Sequence, residues 1–214
     1  MGPPAYQGAA ADERALVARL RAGDRQAFAD LIARHGGSLL RLATAIVRNR
    51  SSAEEVVQEA WLAALEGIDG FEGRAALRTW LFQIVANKAR TRLRRDGRSV
   101  PFSALSSPDD GEDHAPDSDR FDGNGAWKDP PGRWSEEDPE RLAQGVETRA
   151  AIERAIADLP AAQRAVITLR DVEGLEAEEI CSLLDLTVAN QRVLLHRARA
   201  RVRLALEKHL AGGR

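Results

Sequence analysis

A stretch at residues 99–146 constrains the fold of this chain more than any other feature. It is rich in Asp, Ser, Pro and Gly, and its few apolar residues follow neither a helical nor a strand-like spacing. It also holds twelve acidic residues against four basic ones. Such a segment cannot bury enough apolar surface to fold alone. We therefore expect a long, flexible, acidic linker that divides the 214-residue chain into two folding units.

On both sides of the linker the apolar residues recur at helical spacing, and strand-like alternation is essentially absent. Asp24 and Ser52 each precede a periodic segment and are predicted to cap helices. The sequence therefore predicts an all-α protein with two small helical domains, at residues 11–98 and 147–214. Residues 1–10 are predicted to be a loose, disordered tail.

The composition excludes several classes of protein. The single cysteine, Cys181, rules out an internal disulfide framework, suits a reducing cytoplasm and is expected to be a small core residue. No apolar run reaches the ~20 residues of a membrane span, and the first residues lack the pattern of a secretory signal. The four histidines are dispersed, and neither a phosphate loop nor a nucleophile–base pair is legible. We expect a cytoplasmic protein that is not an enzyme, with no metal, cofactor, small-molecule substrate or direct membrane insertion.

A basic helix is predicted at residues 187–203, TVANQRVLLHRARARVR, which contain five arginines and no acid. On a helical wheel one arc gathers Val188, Leu194, Leu195, Ala198, Val202 and Leu206, and we expect it to face a core. The other side presents Asn190, Arg192, Val193, His196 and Arg197. Thr187 is placed to cap the helix.

A helix-turn-helix is predicted around this basic helix, because a short helix at residues 177–184 and a tight turn at 185–187 precede it. In that motif the second helix enters the DNA major groove. Arg192 and Arg197 would then bond guanine edges or phosphates, and Asn190 would reach bases or the backbone. An ordinary helical hairpin is the alternative.

Two further helical faces suggest other partners. On the helix at residues 80–95, Trp80, Asn87 and Lys88 lie mostly outside the core arc, as expected of a surface that stacks on single-stranded bases. Alternatively, Trp80 packs sideways against a neighbouring helix. On the helix at residues 52–66, one face carries Glu55, Gln58, Glu59 and Leu62, and such a face suits a protein partner with a basic surface.

The chain resembles a known family at these faces. The segments SSAEEVVQEAWLAAL, FEGRAALRTWLFQIVANKARTRLRR and LPAAQRAVITLRDVEGLEAEEICSLLDLTVANQRVLLHRARARVR are similar to the second and fourth conserved regions of bacterial extracytoplasmic-function sigma factors. The resemblance covers about residues 23–98 and 147–206. It implies a factor that recruits core RNA polymerase to promoters. The implied partners are core RNA polymerase, promoter DNA and an anti-sigma factor.

The resemblance also implies roles for single residues. The helix that binds the polymerase clamp would carry Glu55, Gln58, Glu59 and Leu62. The loop that captures a flipped base of the −10 element would comprise Phe71, Glu72, Gly73, Arg74 and Ala75, with Trp80, Asn87 and Lys88 where the duplex opens. The −35 element would be read by Arg192, Val193, His196 and Arg197, beside Asn190. The chain departs from the family at residues 189–192, ANQR, where Gly-Thr-Val-Lys is common, and its linker is long.

Two other functions are compatible with parts of the sequence. One is a helix-turn-helix regulator that acts without core polymerase, which would need neither the acidic face nor the aromatic one. The other is a DNA-acting enzyme such as a recombinase.

The linker contains Phe121, Trp127 and Trp134, three of the ten aromatic residues of the chain. We expect them to anchor the linker to a partner surface, although they could instead pack on the domains of the protein itself.

Overall fold

The computed structural model describes residues 5–95 and 139–212, and the side chains of residues 12–95 and 147–209. The chain divides into two compact units, Met1–Ser99 and Val100–Arg214. All described elements are helical, as the sequence predicts. Most of the predicted linker, with Phe121, Trp127 and Trp134, lies outside the described residues, so its interpretation stays a prediction.

The first unit contains four α-helices: α1 (Ala5–Arg21), α2 (Arg25–Val47), α3 (Arg50–Gly67) and α4 (Leu77–Arg95). A 3-10 turn at Ile68–Gly70 follows α3. Helices α2, α3 and α4 pack against one another in pairs, while α1 packs on α2 and on the 3-10 turn. The predicted core face of α4 is buried at Leu81, Phe82, Val85, Ala86 and Ala89.

Local hydrogen bonds explain where α2 and α3 begin. The Asp24 carboxylate accepts hydrogen bonds from the backbone N–H groups of Gln26 and Ala27, which confirms the predicted cap of α2. The predicted cap of α3 is wrong. Asn49, in extended backbone, accepts from the Ser52 N–H at 3.0 Å, so Ser52 is the third residue of the helix rather than its cap.

Two helices begin earlier than the sequence pattern indicated. α1 starts at Ala5, inside the segment expected to be a loose tail, where several alanines favour a helix. The first helix of the second unit, α5, spans Pro139–Ala157, so it begins inside the predicted linker. Proline suits the first turn of a helix because its missing N–H would have no intrahelical partner there.

The second unit is built around its last helix. It comprises α5, α6 (Ala161–Ile167), which continues into a π-helical turn at Thr168–Val172, α7 (Ala177–Leu184) and α8 (Val188–Gly212). α8 packs against α5, α6 and α7. The side chains that are most completely buried here are Gln163, Leu169, Ile180, Leu183, Leu184 and Leu194. Within the described ranges, no helix is long and apolar enough to cross a bilayer.

Candidate nucleic-acid and protein interfaces

The turn between α7 and α8 is fixed by hydrogen bonds at both of its ends. Asp185 ends α7 in the left-handed region at φ 57°, and the Leu186 N–H donates to the Cys181 carbonyl at 3.0 Å. The Thr187 hydroxyl accepts from the Asn190 N–H at 3.2 Å, as predicted for the cap of α8. The short helix Ala177–Leu184 has its predicted bounds. This geometry holds α8 across α7 in a helix-turn-helix.

The buried row of α8 is nearly the predicted one. Leu194, Leu195, Ala198 and Val202 are buried, whereas Leu206 is only half-buried. Val188 was placed wrongly, since it is 41% exposed. Helical side chains lean toward the N-terminus of the helix. The side chain of the first helical residue therefore extends past the end of the helix. Gln191 occupies the buried row instead.

The five arginines of α8 fall into two groups. Arg199 forms two hydrogen bonds with the Asp171 carboxylate, at 2.9 and 2.6 Å, Arg201 donates to Gln163 at 3.1 Å, and Arg203 pairs with Glu207 at 2.8 Å. Arg192 and Arg197 make no hydrogen bond or ion pair with another described residue. Of these five arginines, the two without a partner among the described residues therefore both lie in the N-terminal half of α8.

The predicted −35 residues share that half of the helix. Arg192 and Val193 are exposed, the latter by 45%, while Asn190, His196 and Arg197 are half-buried. Val193 is a large apolar side chain left in solvent beside two unpaired guanidinium groups. An apolar contact between cationic ones fits the major groove, where thymine methyls lie among hydrogen-bonding base edges.

The face of α4 that is predicted to meet DNA also makes contacts within its own unit. Trp80 is half-buried, and its ring packs on that of Phe71 with centroids 5.2 Å apart, close to Gly67. Trp80 thus has a ring neighbour in the loop and keeps part of its side chain in solvent, and its predicted contact with DNA stays a prediction. Phe71 is itself buried, so its ring is not available to a flipped base in this conformation. Asn87 remains exposed and accepts hydrogen bonds from Gln83 and Arg90.

The loop between the 3-10 turn and α4 is exposed beyond Phe71. Glu72, Gly73, Arg74 and Ala75 all lie in solvent, as the predicted capture loop requires. Gly73 has φ 70°, a conformation that favours glycine, and the carboxylate of Glu72 pairs with the guanidinium of Arg74. The structure thus brings four of the five predicted loop residues to the surface.

The predicted protein-binding residues of α3 share one exposed surface. Glu55, Gln58, Glu59 and Leu62 are all exposed, and Leu62 reaches 62%. A leucine side chain this exposed, among carboxylates, is suited to a protein partner rather than to DNA.

The acidic face of α3 lies directly against the cationic face of α4. Glu55 accepts a hydrogen bond from Arg92 at 2.6 Å, and Glu59 lies 3.8 Å from the ammonium group of Lys88. The two faces therefore share a groove, which is also lined by Ile84, Asn87 and Thr91. Sequence reasoning missed this adjacency because the paired residues are far apart in the chain and no local pattern relates them.

The sequence also gave no signal for two contacts from α1. Arg21 and Glu13 hydrogen-bond to backbone groups at the two ends of the exposed loop.

Cys181, in the second unit, is half-buried rather than part of the core. Burial, with the Glu178 charge nearby, raises the pKa of the Cys181 thiol. Among the described residues no group of His, Cys, Asp and Glu is arranged to hold a metal ion.

Comparison with known proteins shows the family to which this chain belongs. The Sigma-70 region 2 family matches residues 17–99, and the family described as Sigma-70, region 4 matches residues 149–202. The RNA polymerase sigma-H factor of Pseudomonas aeruginosa is 32% identical over 195 residues, which cover 91% of this chain and 94% of that protein. The chain belongs to the sigma factor family. The ECF RNA polymerase sigma-E factor of Escherichia coli is 33% identical over 187 residues, with 87% and 90% covered.

Two solved structures share the fold. CnrH in complex with the cytosolic domain of CnrY matches with a TM-score of 0.52 and 25% identity, over 92% of this chain and 97% of that one. The sigma factor RpoE in complex with the anti-sigma factor NepR from Bartonella quintana matches in fold, with a TM-score of 0.54, 21% identity and 84% and 96% covered. The chain is thus an ECF sigma factor, which binds core RNA polymerase and directs initiation at specific promoters.

Proposed function

We propose that this sigma factor divides its work among three surfaces. The exposed face of α3 binds core RNA polymerase through Glu55, Gln58, Glu59 and Leu62. The loop after the 3-10 turn and the outer face of α4 engage the −10 element and help to separate its strands. The N-terminal half of α8 reads the −35 element.

The observation that carries the proposal is the exposure of Leu62 among carboxylates. A basic protein surface complements this face, whereas the phosphates of DNA would be repelled by it. A helix-turn-helix regulator that acts without polymerase has no use for such a face. The matches to both sigma regions and to nearly full-length relatives also favour the sigma function over that alternative.

The −10 surface that we propose is narrower than the predicted one. Phe71 and Trp80 pack on each other, so we assign them the role of supporting the loop from below. Direct contacts with the DNA then come from Glu72, Gly73, Arg74 and Ala75, and from Asn87 and Lys88 on α4. Lys88 is positioned to follow the phosphate backbone, since an ammonium group is a strong phosphate ligand.

The −35 surface is defined by the arginines of α8 that have no partner among the described residues. Because Arg199, Arg201 and Arg203 are held by other residues, recognition falls to Arg192, Val193 and Arg197, flanked by Asn190 and His196. Residues 189–192 differ from the common family pattern and lie at the start of α8. We infer that the base preference there is particular to this protein.

Two further assignments rest on the relatives. One solved sigma factor of this fold is bound to an anti-sigma factor, and we infer that this chain has an anti-sigma partner too. We also assign it to the cytoplasm, where core polymerase acts. Purification of the tagged chain from its native cells should recover polymerase subunits and an inhibitory protein that competes with them. Recovery of polymerase alone, under all growth conditions, would contradict the anti-sigma assignment.

A titration of core polymerase with fluorescently labelled full-length protein tests the α3 assignment. The Leu62→Arg variant should bind core polymerase at least about tenfold more weakly. The arginine would be repelled by the basic surface of the partner, and the apolar contact of the leucine would be lost. Ala18→Arg, which places the same charge on exposed α1, is the matched control and should bind as the wild type does. Equal affinities for Leu62→Arg and wild type, with both proteins folded, would contradict the assignment.

A further inference from the structure

Helix α1 holds the exposed loop at the end where the loop begins. The Arg21 side chain donates from Nε to the Ile68 carbonyl at 3.2 Å, and from Nη2 to the Phe71 carbonyl at 2.5 Å. Nη2 also lies 3.4 Å from the Asp69 carbonyl oxygen. A single guanidinium group therefore gathers three carbonyls of the segment that leads into the loop.

The same helix holds the end where the loop becomes α4. The Glu13 carboxylate accepts a hydrogen bond from the Leu77 N–H, with an oxygen–nitrogen distance of 3.1 Å. Leu77 is the first residue of α4, so its N–H has no partner within the helix. Glu13 thus caps α4 from a helix that is distant in sequence, and its charge also favours the helix dipole.

Between these two anchors the loop has little support of its own. Residues 72–76 are all exposed, and the ion pair of Glu72 with Arg74 is in solvent, where such pairs contribute little. Gly73 adopts a left-handed conformation, and a side chain placed there would enter open space. The conformation of the loop is consequently set from its ends, by α1 and by the packing of Phe71 on Trp80.

We propose that Arg21 and Glu13 are positioning residues for recognition of the −10 element. They touch no DNA themselves. They hold the ends of the loop so that its exposed residues meet the DNA in one preformed arrangement, which lowers the ordering cost of binding. This inference rests on the proposed function, in which the loop contacts the −10 element.

The chemistry of the two contacts supplies discriminating variants. The planar guanidinium of Arg21 offers several donors in a fixed geometry, which methionine lacks and a lysine ammonium cannot reproduce. The Glu13 contact needs only an acceptor oxygen, so Glu13→Gln retains it whereas Glu13→Ala removes it. Arg19, two residues before Arg21, pairs with Asp24 at 2.7 Å and provides the matched control, Arg19→Met.

The test is a selection with full-length holoenzymes on one promoter library randomised at both the −10 and −35 elements. Arg21→Met and Glu13→Ala should reduce enrichment at one or more −10 positions by about fivefold, a substantial part of a single-base preference. Enrichment at the −35 positions should stay as in the wild type. Glu13→Gln and Arg19→Met should keep the wild-type profile at both elements.

A double variant within the loop, Glu72→Ala/Arg74→Ala, separates failure of this inference from failure of the proposed function. If the loop variant changes the −10 preferences while Arg21→Met and Glu13→Ala do not, the positioning inference is overturned and the loop assignment stands. If the loop variant changes nothing, both are overturned. A uniform loss of −10 and −35 enrichment in the α1 variants would also overturn the inference, because it would show a purely structural role. Should Arg21→Met not fold, the Glu13 pair decides alone.

Discussion

At the scale of single residues, two arginines of α8 with similar sequence surroundings have different roles. Arg197 makes no polar contact with another described residue, whereas Arg201 donates to the Oε1 atom of Gln163, whose side chain is buried. We expect Arg197→Ala to weaken binding to promoter duplex without unfolding the protein. If Arg197 holds a phosphate, the slope of log affinity against log salt should fall by about 0.9. If it reads a base, preference at one −35 position should relax instead.

Arg201→Ala is the matched control for this experiment. It leaves a buried acceptor unsatisfied, which commonly costs about 1–3 kcal/mol of folding free energy. We therefore expect a lower free energy of unfolding in a denaturant titration, with the salt slope of DNA binding unchanged. The opposite pattern, in which Arg197→Ala destabilises the fold and Arg201→Ala alters the salt slope, would reverse the assignment of the two arginines.

The sequence predicted such local features well and distant ones poorly. The Thr187 cap depends on a hydrogen bond between residues three apart in the chain, so the local sequence pattern was sufficient to predict it. The burial of Phe71 depends on Trp80 across a loop, and the Glu55–Arg92 pair joins residues 37 apart. No periodicity encodes these contacts, because they are created when the helices pack.

At the scale of one helix, the start of α2 offers a pH-dependent test. The hydrogen bond from Arg19, with those from the Ala27 and Gln26 N–H groups, lowers the pKa of the Asp24 carboxyl in the folded state. A carboxyl whose pKa is lower in the folded protein than in the unfolded one stabilises the fold above the unfolded pKa. That stabilisation is lost as the pH falls through the folded pKa.

We therefore expect Asp24→Ala to lower the melting temperature at neutral pH, and the difference from wild type to narrow on acidification below the ordinary range of aspartate. Asp30→Ala, which removes an exposed carboxylate from the same helix, is the control and should change the melting temperature less. A difference for Asp24→Ala that stays constant down to strongly acidic pH would show that the charge of the cap does not matter.

At the scale of a helix pair, α3 and α4 are coupled by the ion pairs across their groove. Glu59 partly neutralises Lys88, so the surface proposed for core polymerase reduces the charge of the surface proposed for DNA. Glu59→Gln should raise the affinity of the protein for single-stranded −10 DNA by about two- to fivefold, the range of exposed ion pairs. The same variant should have a lower affinity for core polymerase.

Glu54→Gln is the control. The partner of Glu54 is Arg50 on α3 itself, so this variant should leave the DNA affinity unchanged. Equal DNA affinities for Glu59→Gln and wild type would show that the two faces are independent.

At the scale of the whole molecule, the fold class and the two helical units followed from the pattern of apolar residues alone. The ends of the units did not, since α1 begins at Ala5 and α5 at Pro139. Where a helix ends depends on weak residue propensities. A domain boundary placed where the composition changes does not resolve such helix ends. The proposal that Phe121, Trp127 and Trp134 anchor the linker to a partner stays a prediction.

Run-off transcription with purified core RNA polymerase tests the central claim most directly. Templates selected from a random promoter library by the holoenzyme should give a defined transcript only when this protein is added. The Leu62→Arg variant should give little transcript at limiting concentration and recover when its concentration is raised, because its defect lies in binding core polymerase. No transcript with the wild-type protein on any selected template, although it binds the same DNA by itself, would contradict the account and show a DNA-binding regulator that does not work through core polymerase.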